Sequence, residues 1–215
     1  MTALNTNINT IDYKIFDINA YNNLSRNIII IPLAIINEHL INFNNESIEE
    51  NIFNYTHLGF ILAHEIIHSF DTYGIKFDKY GKYNPTYKNI KYIHKDYNLY
   101  LLYMTKMLLY KHSLNENFSD FEAMKICINI IKKKFSDINS DNLDITNILK
   151  MFFINYAYFW RSDTDNIKNV KNYSTHITPS IRTNFILSLI KDFYIIFNYK
   201  NNSEDNKYKQ IKFII

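Results

Sequence analysis

The chain has 215 residues, of which 47% are hydrophobic and 21% charged, and its net charge is +3. The basic residues are spread along the chain, which argues against the one-sided basic patch of a nucleic-acid-binding protein. The longest apolar runs, such as residues 28–36, have about half the length of a membrane-spanning helix, so no transmembrane segment is predicted.

The first half of the chain is predicted to hold one extended segment and two helices. Residues 1–18 are polar and are expected to form a loose leader. Residues 19–32 are predicted to be extended, because Ile28 to Ile31 form a β-branched run that stops at Pro32. Apolar residues recur at helical spacing within residues 52–71, and residues 88–110 also favour a helix.

Three helices and a loop are predicted in the second half. Residues 115–134 favour a helix with Asn115 as its N-cap, and residues 145–160 favour another. Residues 173–179 contain Ser, Thr and Pro and predict a loop, and residues 180–198 form the last predicted helix. The balance of predicted helices and extended segments indicates an α+β fold that is mostly helical, with a small β-sheet near the N-terminus.

The segment from His64 to His68 carries the clearest chemical signal. It reads His-Glu-Ile-Ile-His, and residues four apart lie on one face of a helix. Two imidazoles on one face can bind a zinc ion, and Glu65 beside the first can act as a general base. The alternative is a pair of surface histidines on an amphipathic helix.

A catalytic zinc site needs a third protein ligand. Glu116 is the best candidate, and Asp120 lies four residues further on the same predicted helix, so both carboxylates share a face. One can bind the metal while the other accepts a hydrogen bond from a metal-binding imidazole. The alternative is a solvated helix face with no metal nearby.

These motifs together resemble the neprilysin and endothelin-converting-enzyme family of zinc metallopeptidases. The resemblance runs in order from residue 19 to residue 199 and implies a zincin-like fold with a thermolysin-like zinc site. It rests on the following residues: Asn19, Ala20, Tyr21, Ile31, Pro32, Ala34, Gly59 to Asp71, Gly74, Phe77, Asp78, Gly81, Glu116, Asn117, Asp120, Asn155, Ala157, Trp160, His176, Pro179, Arg182, Asn184, Phe193 and Phe197.

The resemblance implies roles around the metal. His64, His68 and Glu116 would hold one zinc ion per chain. Glu65 would be the general base and proton shuttle, and Asp120 would orient a zinc-bound imidazole.

It also implies roles toward the substrate. His176 would donate a hydrogen bond to the oxyanion, and Arg182 would contact a substrate carbonyl or brace the site. Asn19 and Ala20 would bind the peptide backbone as an added strand.

The chain departs from the family pattern in four places. The family's N-terminal domain, which closes over the site, is expected to be absent, so residues 19–215 would form the catalytic domain alone. The family's cysteines are missing, and Arg161 and Tyr199 stand where half-cystines are expected. Ser174 replaces an acidic residue two positions before the catalytic histidine, and Asn115 replaces a glycine before the ligand glutamate.

The sequence therefore predicts a zinc metalloendopeptidase that acts on peptides, with a separate lid domain or partner chain as a possible further component. The alternative is a catalytically degenerate zinc-binding or interaction domain. The single cysteine, Cys127, and the lack of a signal peptide favour an intracellular location, although the family usually faces the cell exterior.

Overall fold

The computed structural model describes six stretches of the chain. Most of the predicted leader, the predicted helix over residues 88–110 and the loop with Ser174 and His176 lie outside them. The described residues are 16–37, 41–44, 46–85, 113–138, 144–161 and 179–198.

The predicted extended segment contains a β-hairpin. Strand β1, Tyr21–Asn23, pairs antiparallel with β2, Ile28–Ile30. Asn27 closes the turn with a φ of 51°, a left-handed conformation that asparagine tolerates better than most residues. Its side-chain amide also donates to the carbonyl of Lys79 at 3.0 Å, which fastens the hairpin to a neighbouring turn.

Helix α1 spans Ile48–Asn54 and begins with a capping box. The Ser47 hydroxyl accepts a hydrogen bond from the Glu50 N–H at 3.1 Å, and the Glu50 carboxylate accepts one from the Ser47 N–H at 2.9 Å. These two bonds satisfy donors that a helix start otherwise leaves without partners. They explain why the helix predicted over residues 52–71 begins earlier.

A π-helical turn, Tyr55–Gly59, joins α1 directly to helix α2, Phe60–Ile67. A 3₁₀ turn over His68–Phe70 ends this continuous helical stretch. π-Helical turns are rare, occur mostly as single turns within α-helices, and are frequent at functional sites. Here the turn lies one helical turn ahead of the histidine motif.

Helix α3 spans Leu114–Lys134, so the helix prediction is confirmed but the N-cap prediction is wrong. The N-cap is Ser113, which makes no side-chain capping bond. Asn115 lies inside the first turn, where its side-chain oxygen accepts a hydrogen bond from Thr72 instead. A tertiary contact thus uses the side chain that the sequence assigns to the helix end.

Helix α4, Ile145–Phe159, matches its prediction closely and is capped by the Asp144 side chain. The last predicted helix is divided into α5, Pro179–Leu187, and α6, Lys191–Ile196. The break allows Leu189 and Ile190 to turn into the core, where both are buried.

The core lies between the histidine helix and the helices α3, α4 and α5. Among the described residues, no helix is both long enough and apolar enough to cross a membrane. The largest fully buried side chains include Phe60, Met124, Phe152, Tyr156 and Ile186.

Candidate metal centre

The two histidines of the motif converge on one point. His64 lies in α2 and His68 one turn later, and their rings are nearly perpendicular, at 87°. Their Nε2 atoms are 3.0 Å apart. The helical spacing of four residues therefore brings two metal-binding nitrogen atoms together.

Glu116 reaches the same point from α3. Its Oε2 atom lies 3.3 Å from His64 Nε2 and 3.6 Å from His68 Nε2. Zinc binds such atoms at about 2.0–2.1 Å in tetrahedral geometry, which sets ligand atoms about 3.3 Å apart. The three observed separations bracket that value, so this donor set fits zinc.

A carboxylate holds the outer nitrogen of each ring. His64 Nδ1 lies 2.8 Å from Asp120 Oδ1, and His68 Nδ1 lies 2.9 Å from Asp71 Oδ2. The Ser119 hydroxyl is also 3.2 Å from His68 Nδ1. A proton on each Nδ1 leaves both Nε2 lone pairs directed inward, the arrangement that metal-binding histidines require.

Asp71 is itself fixed by the turn that follows the histidine helix. Its Oδ1 atom accepts hydrogen bonds from the N–H groups of Tyr73 and Gly74, both at 2.8 Å. A Cβ atom on Gly74 would overlap the carbonyl oxygen of His68, so this turn needs a glycine. The turn therefore holds the partner of His68 rigidly.

Arg182 lies behind Asp120. Its Nε donates to Asp120 Oδ2, and a terminal nitrogen donates to Oδ1 at 2.5 Å. The guanidinium also stacks on Trp160, with 3.9 Å between Cζ and the ring centroid. Burial alone would raise the pKa of Asp120, but Arg182 and His64 outweigh it and lower that pKa. Arg182 thus contacts the same carboxylate that holds His64.

Glu65 is buried beside the two histidines, and all three offer ligand atoms within 4.8 Å of one another. The Asn22 side-chain amide donates to the Glu65 carbonyl at 2.5 Å and to the Ser69 hydroxyl at 2.8 Å. Burial raises the pKa of the Glu65 carboxyl, against the opposing effect of the imidazoles. Two carboxylates, from Glu65 and Glu116, therefore adjoin the histidines.

The charges around the histidines favour a cation. Burial lowers the pKa of His68, but hydrogen bonds to Asp71 and Glu116 and the charge of Glu65 raise it to about 10. The pKa of His64 is also raised, because Asp120 and Glu116 overcome the effect of burial. The negative charge of the neighbouring carboxylates, which raises both pKa values, would also favour a metal cation, and that cation would displace the protons from both Nε2 atoms.

The predicted substrate-binding residues precede β1. Asn19 is exposed and Ala20 is buried, and the next strand carries Asn22, which contacts the histidine helix. The structure thus brings this strand beside Glu65. His176 lies outside the described residues.

Asp71 and Asn22 have no role predicted from the sequence. Asp71 follows the second histidine by three residues and precedes a glycine turn, a spacing that could have indicated its contact. Asn22 gave no usable signal, because asparagine is abundant throughout the chain.

A profile of Peptidase family M13 matches residues 19–212, which include every predicted site residue. The chain belongs to peptidase family M13. Membership confirms the resemblance to the neprilysin and endothelin-converting-enzyme family, because members of both types are among its relatives.

The M13 relatives align with most of this chain. It is 28% identical over 199 residues to a zinc metalloproteinase of Acanthamoeba polyphaga mimivirus, which covers 86% of this chain and 30% of the relative. It is 26% identical over 204 residues to Neprilysin-3 of Drosophila melanogaster, covering 88% and 25%. Endothelin-converting enzyme 1 of Bos taurus is 27% identical over 158 residues, covering 67% and 20%.

Two solved structures share the fold of this chain. PepO from Lactobacillus rhamnosis superimposes with a TM-score of 0.69 at 21% identity, covering 94% of this chain and 31% of that protein. The inhibitor complex of the Mycobacterium tuberculosis zinc metalloprotease ZMP1 gives 0.65 at 20% identity, covering 85% and 30%. This chain therefore spans about a third or less of the length of the proteins it matches.

Proposed function

We propose that this M13 chain is a zinc-dependent peptidase with a zincin-like fold, in which His64, His68 and Glu116 hold one zinc ion. The observation that carries the proposal is the convergence of two Nε2 atoms and one carboxylate oxygen, separated by 3.0 to 3.6 Å. Glu116 suits the ligand role better than Glu65, because it approaches from a second helix and places its Oε2 atom 3.3 and 3.6 Å from the two Nε2 atoms.

Zinc in such a site supplies Lewis-acid chemistry, because it acidifies water and polarises a carbonyl oxygen. The protein groups then have separate tasks. Asp120 and Asp71 keep the proton on Nδ1 of His64 and His68, so that neutral imidazoles present their Nε2 lone pairs. Arg182 balances the negative charge of Asp120 and, by lowering the pKa of that carboxyl, keeps it ionised.

Glu65 is proposed as the general base. Its carboxylate takes a proton from the attacking water as the water oxygen bonds to the peptide carbonyl carbon. The same proton passes to the amide nitrogen as the carbon–nitrogen bond breaks, which gives a free acid and a free amine. A carboxyl whose pKa is raised by burial is suited to both halves of this transfer.

The substrate is proposed to be a peptide that lies along the hairpin as an added strand, with its backbone bonded to Asn19 and Ala20. His176 is proposed to donate to the oxyanion. The proximity of β1 to Glu65, through Asn22, supports this direction of approach. We also propose that a separate lid domain or partner chain completes the substrate cleft.

Zinc analysis and peptide turnover by the purified chain test the proposal together. We expect one zinc per chain and hydrolysis that stops when a chelator removes the metal and returns on zinc addition. Zinc bound with no turnover of a diverse peptide mixture would support the rival, a catalytically degenerate zinc-binding domain. A stoichiometry near zero after reconstitution would contradict both.

A further inference from the structure

A hydrogen bond between two side chains ties the start of α3 to the exit of the histidine helix. Thr72 Oγ1 donates to Asn115 Oδ1 at 2.7 Å, and both residues are half-buried. Thr72 follows Asp71, which holds His68, and Asn115 precedes Glu116. The bond therefore joins the two stretches of chain that supply the histidines and the third carboxylate.

The Asn115 side chain serves this contact and not its own helix. Asparagine has a weak intrinsic preference for helix interiors, and α3 already has Ser113 at its N-cap. The resemblance expects a glycine at this position, and glycine has no side chain with which to make the bond. The departure from the family pattern thus coincides with a contact that links two elements of the metal centre.

We infer that Thr72 and Asn115 are positioning residues that align Glu116 with the two histidines before the metal binds. This inference rests on the proposed zinc site. The ligands come from two helices, so part of the binding free energy goes into holding those helices in register. A contact that holds them in register beforehand reduces that loss and strengthens zinc binding.

Zinc affinity, measured by competition with a chromophoric chelator, tests the inference without reference to catalysis. Thr72→Val removes the hydroxyl at nearly constant volume, and Asn115→Ala removes the acceptor from the other side. Each should weaken zinc binding about two- to tenfold, the factor that corresponds to the net free energy of one neutral hydrogen bond. Thr72→Ser keeps the hydroxyl and should bind zinc like the wild type.

The double variant Thr72→Val with Asn115→Ala should bind no more weakly than either single variant, because both remove the same bond. Thr56→Val is the matched control. It removes a hydroxyl that donates to the Ile52 carbonyl, also at 2.7 Å, from a buried position away from the metal centre. It should lower thermal stability and leave zinc affinity unchanged.

Unchanged zinc affinity in Thr72→Val and Asn115→Ala would overturn the inference and leave the proposed function intact. Additive losses in the double variant would also overturn it. If Thr72→Val does not fold, Asn115→Ala and Thr72→Ser decide the matter. A wild-type chain that binds no zinc would refute the proposed function, and the inference with it.

Discussion

His64 Nδ1 lies 2.8 Å from Asp120 Oδ1, on a carboxylate that has no solvent exposure. The same carboxylate binds the Arg182 guanidinium through both of its oxygen atoms. A buried carboxylate therefore connects a candidate metal ligand to a buried cation. The carboxylate lowers the free-energy cost of burying the other two groups, and each of them lowers the cost of burying the carboxylate. Removing one of them leaves the others with an unbalanced charge in the protein interior.

Replacing Arg182 with leucine should destabilise the metal-free protein strongly. Asp120 would be left as a buried charge without its main counter-ion, a change that typically lowers the free energy of unfolding by about 3–5 kcal/mol. Urea unfolding in the presence of a chelator measures it. The control Arg161→Leu removes an exposed guanidinium that stacks on Tyr158, and it should lower stability by no more than about 1 kcal/mol. Equal effects of the two changes would contradict this account of Asp120.

Replacing Asp71 with asparagine should weaken zinc binding about 10- to 100-fold, because His68 would lose the carboxylate that fixes its ring. Chelator competition measures the affinity. Asp78→Asn is the control, since Asp78 also accepts two backbone N–H groups in a turn but contacts no histidine in the described part of the chain. Comparable losses in both variants would show that turn stability, and not ring orientation, sets the affinity.

The stability of the fold should depend on pH through His57. Burial lowers the pKa of this ring below its usual 6.5, so the unfolded chain binds the proton more readily than the folded one. Stability should therefore fall as pH drops below about 6.5 and level off below the folded-state pKa. The test compares urea unfolding of the wild type and His57→Phe between pH 7 and pH 5. The wild type should lose stability relative to the variant, and parallel curves would exclude His57 as the source.

The Cys127 thiol should be unreactive in the folded protein. It is buried, and burial raises its pKa to about 12, so about one thiol in ten thousand is ionised at pH 8. Alkylation by iodoacetamide, followed by mass spectrometry, should be slow in buffer and fast in denaturant. Rapid labelling of the native chain would show that this part of the core opens readily.

The parts of the fold that could be predicted from sequence are those with strong local signals. Helix α4 matches because its apolar stripe begins directly after a capping residue, Asp144. The break between α5 and α6 was not predictable from the sequence pattern. It falls at Ser188, Leu189 and Ile190, and none of these is a glycine or proline that would end a helix. It depends on the burial of Leu189 and Ile190, which is a property of the folded chain.

In the candidate site, too, the local patterns could be predicted from sequence, whereas no local pattern indicated the contacts between distant residues. The spacing of His64 and His68 is local, and so is the shared face of Glu116 and Asp120, so each pair was visible in the sequence. The contact between the pairs spans 56 residues from His64 to Asp120. It was indicated by the ligand chemistry of a zinc site and by the resemblance, and not by any local pattern. The bond from Thr72 to Asn115 had no signal, because neither residue type in its setting demands a distant partner.

Peptide turnover by Glu65→Gln, compared with the wild type at equal zinc occupancy, tests the central claim most directly. The amide keeps the shape of the side chain but cannot accept the water proton, so turnover should fall at least about 10²-fold while one zinc per chain remains bound. Glu122→Gln, a matched change on α3 where the carboxylate pairs with Lys125, should leave turnover unchanged. Hydrolysis that persists in Glu65→Gln, or that resists removal of zinc by a chelator, would contradict the account.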